Sequence, residues 1–129
     1  MISYNIKYLI LYKRKGTNKM NSLNMIKNIL RKHIRKIIFN QLVDEWLESK
    51  KVSTKESTYY HYVYVVNKYL MPTFGNMTIK QLKRYNYNEF TSELKDELST
   101  KTIRDILCIL KSILYYTDEE YNCGLKVKK

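Results

Sequence analysis

The chain has 129 residues, of which 44% are hydrophobic and 13% aromatic, and it carries 24 Lys and Arg against 12 Asp and Glu. This length suits one domain with an extension, and the apolar content is high enough to build a core, which argues against a disordered chain. The longest apolar run, residues 8–12, is too short for a membrane span or a signal-peptide core. Cys108 and Cys123 suggest no disulfide framework, so we expect a cytoplasmic protein.

The positive charge is concentrated at the start of the chain. The first acidic residue is Asp44, and residues 1–43 hold ten Lys and Arg, whereas bases and acids are nearly balanced from there on. A net charge of +12 favours a polyanionic partner, with nucleic acid first and an anionic membrane surface second.

The N-terminal elements are a strand pattern and a basic helix. Residues 4–12 alternate in the way of a strand, although no partner strand is evident, and residues 13–22 read as a basic loop. Residues 23–38 have the period of a helix with one apolar and one basic side. Three interpretations of this helix stay open: an ordinary solvated surface, contact with DNA phosphates, or contact with an anionic membrane.

A second helix is predicted over about Asn40 to Ser49. Its apolar stripe predicts burial of five side chains: Phe39, Leu42, Val43, Trp46 and Leu47. Trp46 is the only tryptophan and sits in the middle of this stripe, so we expect it to anchor the core. Ile38 offers no capping side chain, which leaves open a fusion of this helix with the preceding one.

Residues 53–82 organise the rest of the chain. A helix over 54–70 is predicted from an apolar face that comprises Tyr59, Tyr62, Val63, Val66, Tyr69 and Leu70. Ser53 and Glu56 fit a capping box, and Pro72 predicts that the helix stops near Met71. Gly75 then predicts a turn with positive φ, and residues 78–82 a short buried connector.

Two further helices complete the predicted bundle. Residues 86–97 form an acidic helix, which we expect to lie away from any DNA. The last helix should start after Ser99 as its N-cap and run to about Tyr116. Its expected core face consists of Ile103, Ile106, Leu107, Leu110, Ile113 and Leu114. Its opposite stripe consists of Lys101, Arg104, Cys108, Lys111 and Tyr115.

Several pieces in order resemble a known family. They are residues 39–47, Thr58-Tyr59 with the apolar spacing to Leu70, Pro72-x-Phe74-Gly75, and residues 98–107. This order resembles the SAM-like, N-terminal core-binding domain of tyrosine recombinases, or phage integrases. The resemblance implies an all-α, four-helix fold over residues 37–117, with a basic extension at 1–36 (short strand plus amphipathic helix) and a tail at 118–129.

The resemblance also implies where DNA would bind. In the family, the second and fourth helices present their first turns to the major groove. Carried over, this gives seven candidate contacts: Thr58, His61, Lys68, Ser99, Lys101, Arg104 and Lys111. For each of them an ordinary solvated side chain is the alternative interpretation. The family cuts DNA with a tyrosine activated by two arginines, a histidine and a lysine of a second domain, and no such set is evident here, so we expect a truncated, non-catalytic chain.

Other sites and functions are weighed against this one. His33, His61 and the two cysteines lack metal-ligand spacing, the glycines form no phosphate loop, and we expect no cofactor and no small-molecule substrate. The expected partners are double-stranded DNA and other recombinase subunits, with a membrane disfavoured. The alternatives are a small helical transcription regulator, or a protein-interaction or membrane-surface module built on residues 23–38.

Overall fold

The structure, a computed structural model, describes residues 20–125, with side chains from residue 25 onward. The predicted strand over 4–12 and most of the predicted basic loop lie outside the described residues. Within them the fold is all-α, as predicted, and contains no strand. The helices are α1 (Met20–Lys36), α2 (Phe39–Ser53), α3 (Glu56–Val65), a π-helical turn (Val66–Leu70), α4 (Met71–Phe74), α5 (Ile79–Arg84), α6 (Tyr87–Lys95) and α7 (Thr100–Tyr121).

The start of α2 is capped by a distant turn and by the Gln41 side chain, whose Oε1 accepts the Ile38 N–H at 3.1 Å. Ile38 is extended, so α2 does not fuse with α1, and it pairs with Thr78 in an isolated antiparallel bridge. The N–H groups of Phe39 and Asn40 donate to the carbonyls of Met77 and Gly75 at 2.8 and 3.0 Å. These bonds satisfy amides that a helix start leaves without partners, which explains why Ile38 suffices at the cap position.

The prediction that the helix stops before Pro72 is wrong. Met71 keeps helical dihedrals, and the helical run continues through α4 to Phe74. The turn just before Pro72 is a π-turn, in which the Met71 N–H donates to the Val66 carbonyl five residues back. A wider turn moves the carbonyls of the preceding residues away from the proline ring, which relieves the clash that normally ends a helix.

Two other local predictions in this stretch are also wrong. Gly75 has φ −50°, so it is not there to allow a positive φ. A Cβ at this buried glycine would lie 2.7 Å from the Met71 carbonyl oxygen, and that close approach is its structural reason. Ser53 ends α2 and donates to the Ser49 carbonyl, while Lys55 takes the N-cap position of α3 without a side-chain bond.

Aromatic side chains join the helices into one core. Phe74 is fully buried and lies 4.9 to 5.9 Å, between ring centroids, from four other rings, those of Phe39, Tyr85, Tyr87 and Phe90. Trp46 is 1% exposed, as predicted for a core anchor. Its indole N–H donates to Ser112 Oγ at 3.1 Å, and its ring lies 5.0 Å from that of Tyr62. Trp46 therefore ties α2 to both α3 and α7.

The last helix starts as predicted and ends later. Ser99 Oγ accepts the N–H of Thr102 as the N-cap. The helix runs on to Tyr121, whose hydroxyl donates to the Glu45 carboxylate at 2.6 Å, so the end of α7 is fixed to α2. Asn122 ends it with φ 49°, and Leu125 returns to the core. Extending the helix buries Tyr121 and Leu125, which explains why it passes the predicted end.

The loop between α4 and α5 bears on the transcription-regulator alternative. It comprises residues 75–78, which is short enough for a helix-turn-helix, so its length does not exclude that motif. The second helix is the stronger objection. It has only six residues, and Ile79 and Leu82 of these are buried.

Candidate nucleic-acid interface

An exposed stripe runs along the first half of α7. Lys101, Arg104, Cys108, Lys111 and Tyr115 are all exposed, as the helical period predicted. The opposite side of α7 packs into the core, with Ile103, Ile106, Leu110 and Ile113 buried and Leu107 half-buried. Grooves flank the stripe on both sides, one towards α3 and one towards α6. Cys108 lines both grooves and so marks the crest between them.

The groove between α3 and α7 has a volume of about 340 Å³. Thr58 and His61 line it from α3, and Asp105 and Ser112 line it from α7, with Trp46 also in its wall. The structure thus brings the two predicted α3 residues next to α7, but beside its second to fourth turns instead of its first. Asp105, which the sequence analysis overlooked, adds a negative charge that disfavours phosphate here.

The groove between α6 and α7 has a volume of about 270 Å³ and is more basic. Arg104 and Lys111 line it from α7, and Lys95 lines it from α6. We missed Lys95 because α6 carries several acidic residues, and we therefore placed the whole helix away from DNA. The spacing of Lys95 from Thr91 could have revealed it. Lys95 lies four residues after Thr91, so both share one face of α6, and both line this groove.

The acidic side of α6 faces elsewhere. Glu89 and Glu93, also four residues apart, raise the pKa of Tyr85, although burial of this phenol is the larger cause. Tyr85 packs on Phe74 and Tyr87, away from the residues that line the α6/α7 groove. The acidic helix therefore offers one cation and one hydroxyl to α7, and its first two acids lie on a different face.

The very start of α7 is less suited to an anion than the sequence suggested. The hydroxyl of Ser99 is already engaged as the N-cap of the helix. Exposed Asp96 and Glu97 precede it directly and bring negative charge close to the positive end of the helix dipole. Cations beyond the first turn, above all Arg104 and Lys111, are therefore better placed for a phosphate than the terminal amides.

Lys68 lies in the π-turn and interacts with aromatic residues. Its ammonium donates to the Tyr64 hydroxyl at 2.9 Å and lies 5.3 and 5.4 Å from the centroids of the Tyr64 and Tyr69 rings. The hydrogen bond from Lys68 lowers the pKa of Tyr64. A phosphate contact by Lys68 would have to compete with these interactions.

Comparison with known families gives a match to the middle of the chain. Residues 38–95 match the family model described as Phage integrase, N-terminal SAM-like domain. This segment is similar to the N-terminal SAM-like domain of phage integrases. The match covers α2 to α6, which includes the π-turn, the Gly75 turn and the groove-lining Thr58, His61 and Lys95. Comparison with curated proteins and with solved structures gives no match.

The described helices offer neither a metal cluster nor a membrane span. Within residues 20–125, no cluster of three or more His, Cys, Asp or Glu side chains is arranged to hold a metal ion. In the same part of the chain, no helix combines the length and the apolar character needed to cross a bilayer.

Proposed function

We propose that this chain binds double-stranded DNA as the core-binding domain of an integrase-type recombinase, in DNA integration and recombination. One observation carries the proposal: Lys95 of α6 and Arg104 and Lys111 of α7 line the same groove, so the fold brings cations from two helices together. Lys101 lies on the adjoining stripe. The net charge of +12 supports a polyanionic partner, and the phage integrase family suggests DNA.

The proposed contacts act mainly on the DNA backbone. Lysine and arginine side chains lie at a groove that is open to solvent, where they can neutralise phosphates and release counterions. His61 and Thr58 in the neighbouring groove are candidates for contacts with base edges, since hydroxyl and imidazole groups can both donate and accept hydrogen bonds. Such an interface positions the duplex strongly and reads its sequence modestly.

We propose further that this chain does not cleave DNA by itself. Attack of a tyrosine on phosphorus requires several cations to stabilise the charge that develops on the phosphate. The hydrogen bond and the charge of Lys68, with a smaller contribution from Tyr69, lower the pKa of Tyr64, and no arginine contributes to this shift. Incubation with nicked duplex substrates should therefore give no covalent protein–DNA adduct. An adduct that disappears in Tyr64→Phe would contradict this part of the proposal.

The binding proposal is tested by the salt dependence of affinity. The dissociation constant for a labelled 24-base-pair duplex would be measured by fluorescence anisotropy between 50 and 250 mM NaCl. For Lys95→Gln/Arg104→Gln/Lys111→Gln, the log–log slope should become shallower by up to roughly 2.7, because each lost phosphate contact accounts for about 0.9. The matched control, Lys95→Arg/Arg104→Lys/Lys111→Arg, keeps the charge and should keep the slope. An unchanged slope in the glutamine variant, with an unchanged melting temperature, would refute the proposed interface.

A further inference from the structure

The part of the chain that the structure describes has a second basic surface, distinct from the α6/α7 groove. It is formed by α1 and α5, which pack on one another although they are far apart in the sequence. Their contact is apolar: Leu30 and Ile37 on the α1 side and Ile79 and Leu82 on the α5 side are buried in the same core cluster. The charged side chains of both helices are consequently left on the outside.

Both partners of this contact lack acidic residues. Residues 25–38 contain five Lys and Arg and no acid, and residues 71–88 contain three and no acid. Seven of these basic side chains are exposed, and six of them make up the surface: Arg31, Lys32, Arg35, Lys36, Lys80 and Arg84. Lys83 is set apart from them, because its ammonium lies beside Gly124. The surface ends at Tyr85, where the carboxylates of Glu89 and Glu93 begin.

Like charges within α1 repel one another, and a bound anion would relieve this repulsion. Arg31 and Arg35 are four residues apart, and so are Lys32 and Lys36, so like charges sit one turn apart on two rows of the helix. Each such pair destabilises a helix by roughly 0.2–0.5 kcal/mol. Successive cations along a row are about 6 Å apart, at 1.5 Å of rise per residue. A row of phosphates is an anion array that could meet several of them at once.

A bilayer fits this surface less well than a duplex. A helix that lies on a membrane must bury its apolar face among the lipids. The apolar face of α1 is already used, since Leu30 is 5% exposed and Ile26 and Ile34 pack against the core. Met25 and Ile29 are exposed, but they stand on the same side as Lys32 and Lys36 and offer little apolar area.

We infer that α1 and α5 together form a second phosphate-binding surface for duplex DNA, an inference that rests on the proposed DNA-binding function. The two surfaces share no helix: the α6/α7 groove is lined from α6 and α7, whereas the second surface belongs to α1 and α5. Variants at one surface therefore leave the residues of the other unchanged.

The inference is tested with one charge-removing variant for each helix, Arg31→Gln/Arg35→Gln for α1 and Lys80→Gln/Arg84→Gln for α5. On the same 24-base-pair duplex, each should make the salt slope shallower, by up to about 1.8 for two lost contacts. Arg31→Lys/Arg35→Lys keeps the charge and should behave as the wild type. Loss of slope in only one of the two glutamine variants, or in neither, would overturn the shared surface.

The α6/α7 variant separates this inference from the proposed function. If Lys95→Gln/Arg104→Gln/Lys111→Gln lowers the slope and the α1 and α5 variants do not, the second surface is refuted and the proposed function stands. If the wild-type chain shows no salt-dependent duplex binding, both are refuted. Binding to vesicles of phosphatidylserine and phosphatidylcholine at a 1:4 ratio provides the last comparison. A loss of vesicle binding without any change in DNA slope, in the α1 and α5 variants, would assign the surface to membranes and overturn the inference.

Discussion

Substitution of Gly75 tests the corrected account of the turn after α4. Because its φ is −50°, alanine meets no backbone strain, and replacing glycine at such a position would ordinarily stabilise a protein by about 0.4–1 kcal/mol. Here, however, the new Cβ would lie 2.7 Å from the Met71 carbonyl oxygen, which belongs to the backbone and cannot rotate away. Overpacking of this kind typically costs about 1–3 kcal/mol.

The cost extends to α2, because the Gly75 carbonyl accepts the N–H of Asn40 at 3.0 Å. A shift of Gly75 would lengthen that bond and weaken the capping of α2 by this turn. We therefore expect Gly75→Ala to destabilise the chain by roughly 1–2 kcal/mol, once the favourable entropy is subtracted from the clash. For a domain of this size the melting temperature should fall by about 4–10 °C.

A comparison with Gly124 makes the prediction specific. Gly124 has φ +78°, and the nearest atom to a Cβ there is the mobile end of Lys83, at 3.5 Å. Asparagine tolerates a positive φ better than alanine, so Gly124→Asn should be more stable than Gly124→Ala. At Gly75 asparagine should bring no advantage over alanine, since the obstacle is space. Urea and thermal unfolding of the four variants would measure this, and a Gly75→Ala chain that melts higher than the wild type would refute the reasoning.

Three further predictions concern the core, the pH dependence and the grooves. Ser112→Ala leaves the buried indole N–H of Trp46 without its partner and should cost about 1–2 kcal/mol in urea unfolding, while Trp46→Phe/Ser112→Ala should cost less than the sum of the single changes. Burial raises the pKa of Tyr87 from 10.0 to about 12, and burial with the Glu45 hydrogen bond raises that of Tyr121. The folded phenols hold their protons where unfolded ones lose them, so stability should be full below pH 10 and decline as the pH rises through 12; a melting temperature that is flat over this range would contradict the assignment. Asp105→Asn removes a carboxylate from the α3/α7 groove and should strengthen duplex binding by about two- to fivefold at low salt, as one charge interaction of up to about 1 kcal/mol allows. Unchanged affinity would place the duplex away from this groove.

The sequence by itself determined where most of the described helices lie and, in α2 and α7, most of the side that is buried. The period of apolar residues in α2 and α7 identified Trp46 as a core residue and the stripe from Lys101 to Tyr115 as exposed, and Ser99 was recognised as an N-cap. These features depend on residues three or four positions apart, so a short segment of sequence is enough to predict them. The same short-range order carried the resemblance to the phage integrase SAM-like domain.

Only the tertiary structure decided how distant segments complete one another. The carbonyls of Gly75 and Met77 replace the missing side-chain cap at Ile38. The packing of Phe74 stabilises the helix that the π-turn allows past Pro72, and Lys95 joins Arg104 in a groove that neither helix has alone. The contact between α1 and α5 likewise unites two basic segments. Each of these outcomes depends on contacts between residues more than eight positions apart or on packing that outweighs a local preference, and no local pattern specifies such pairs.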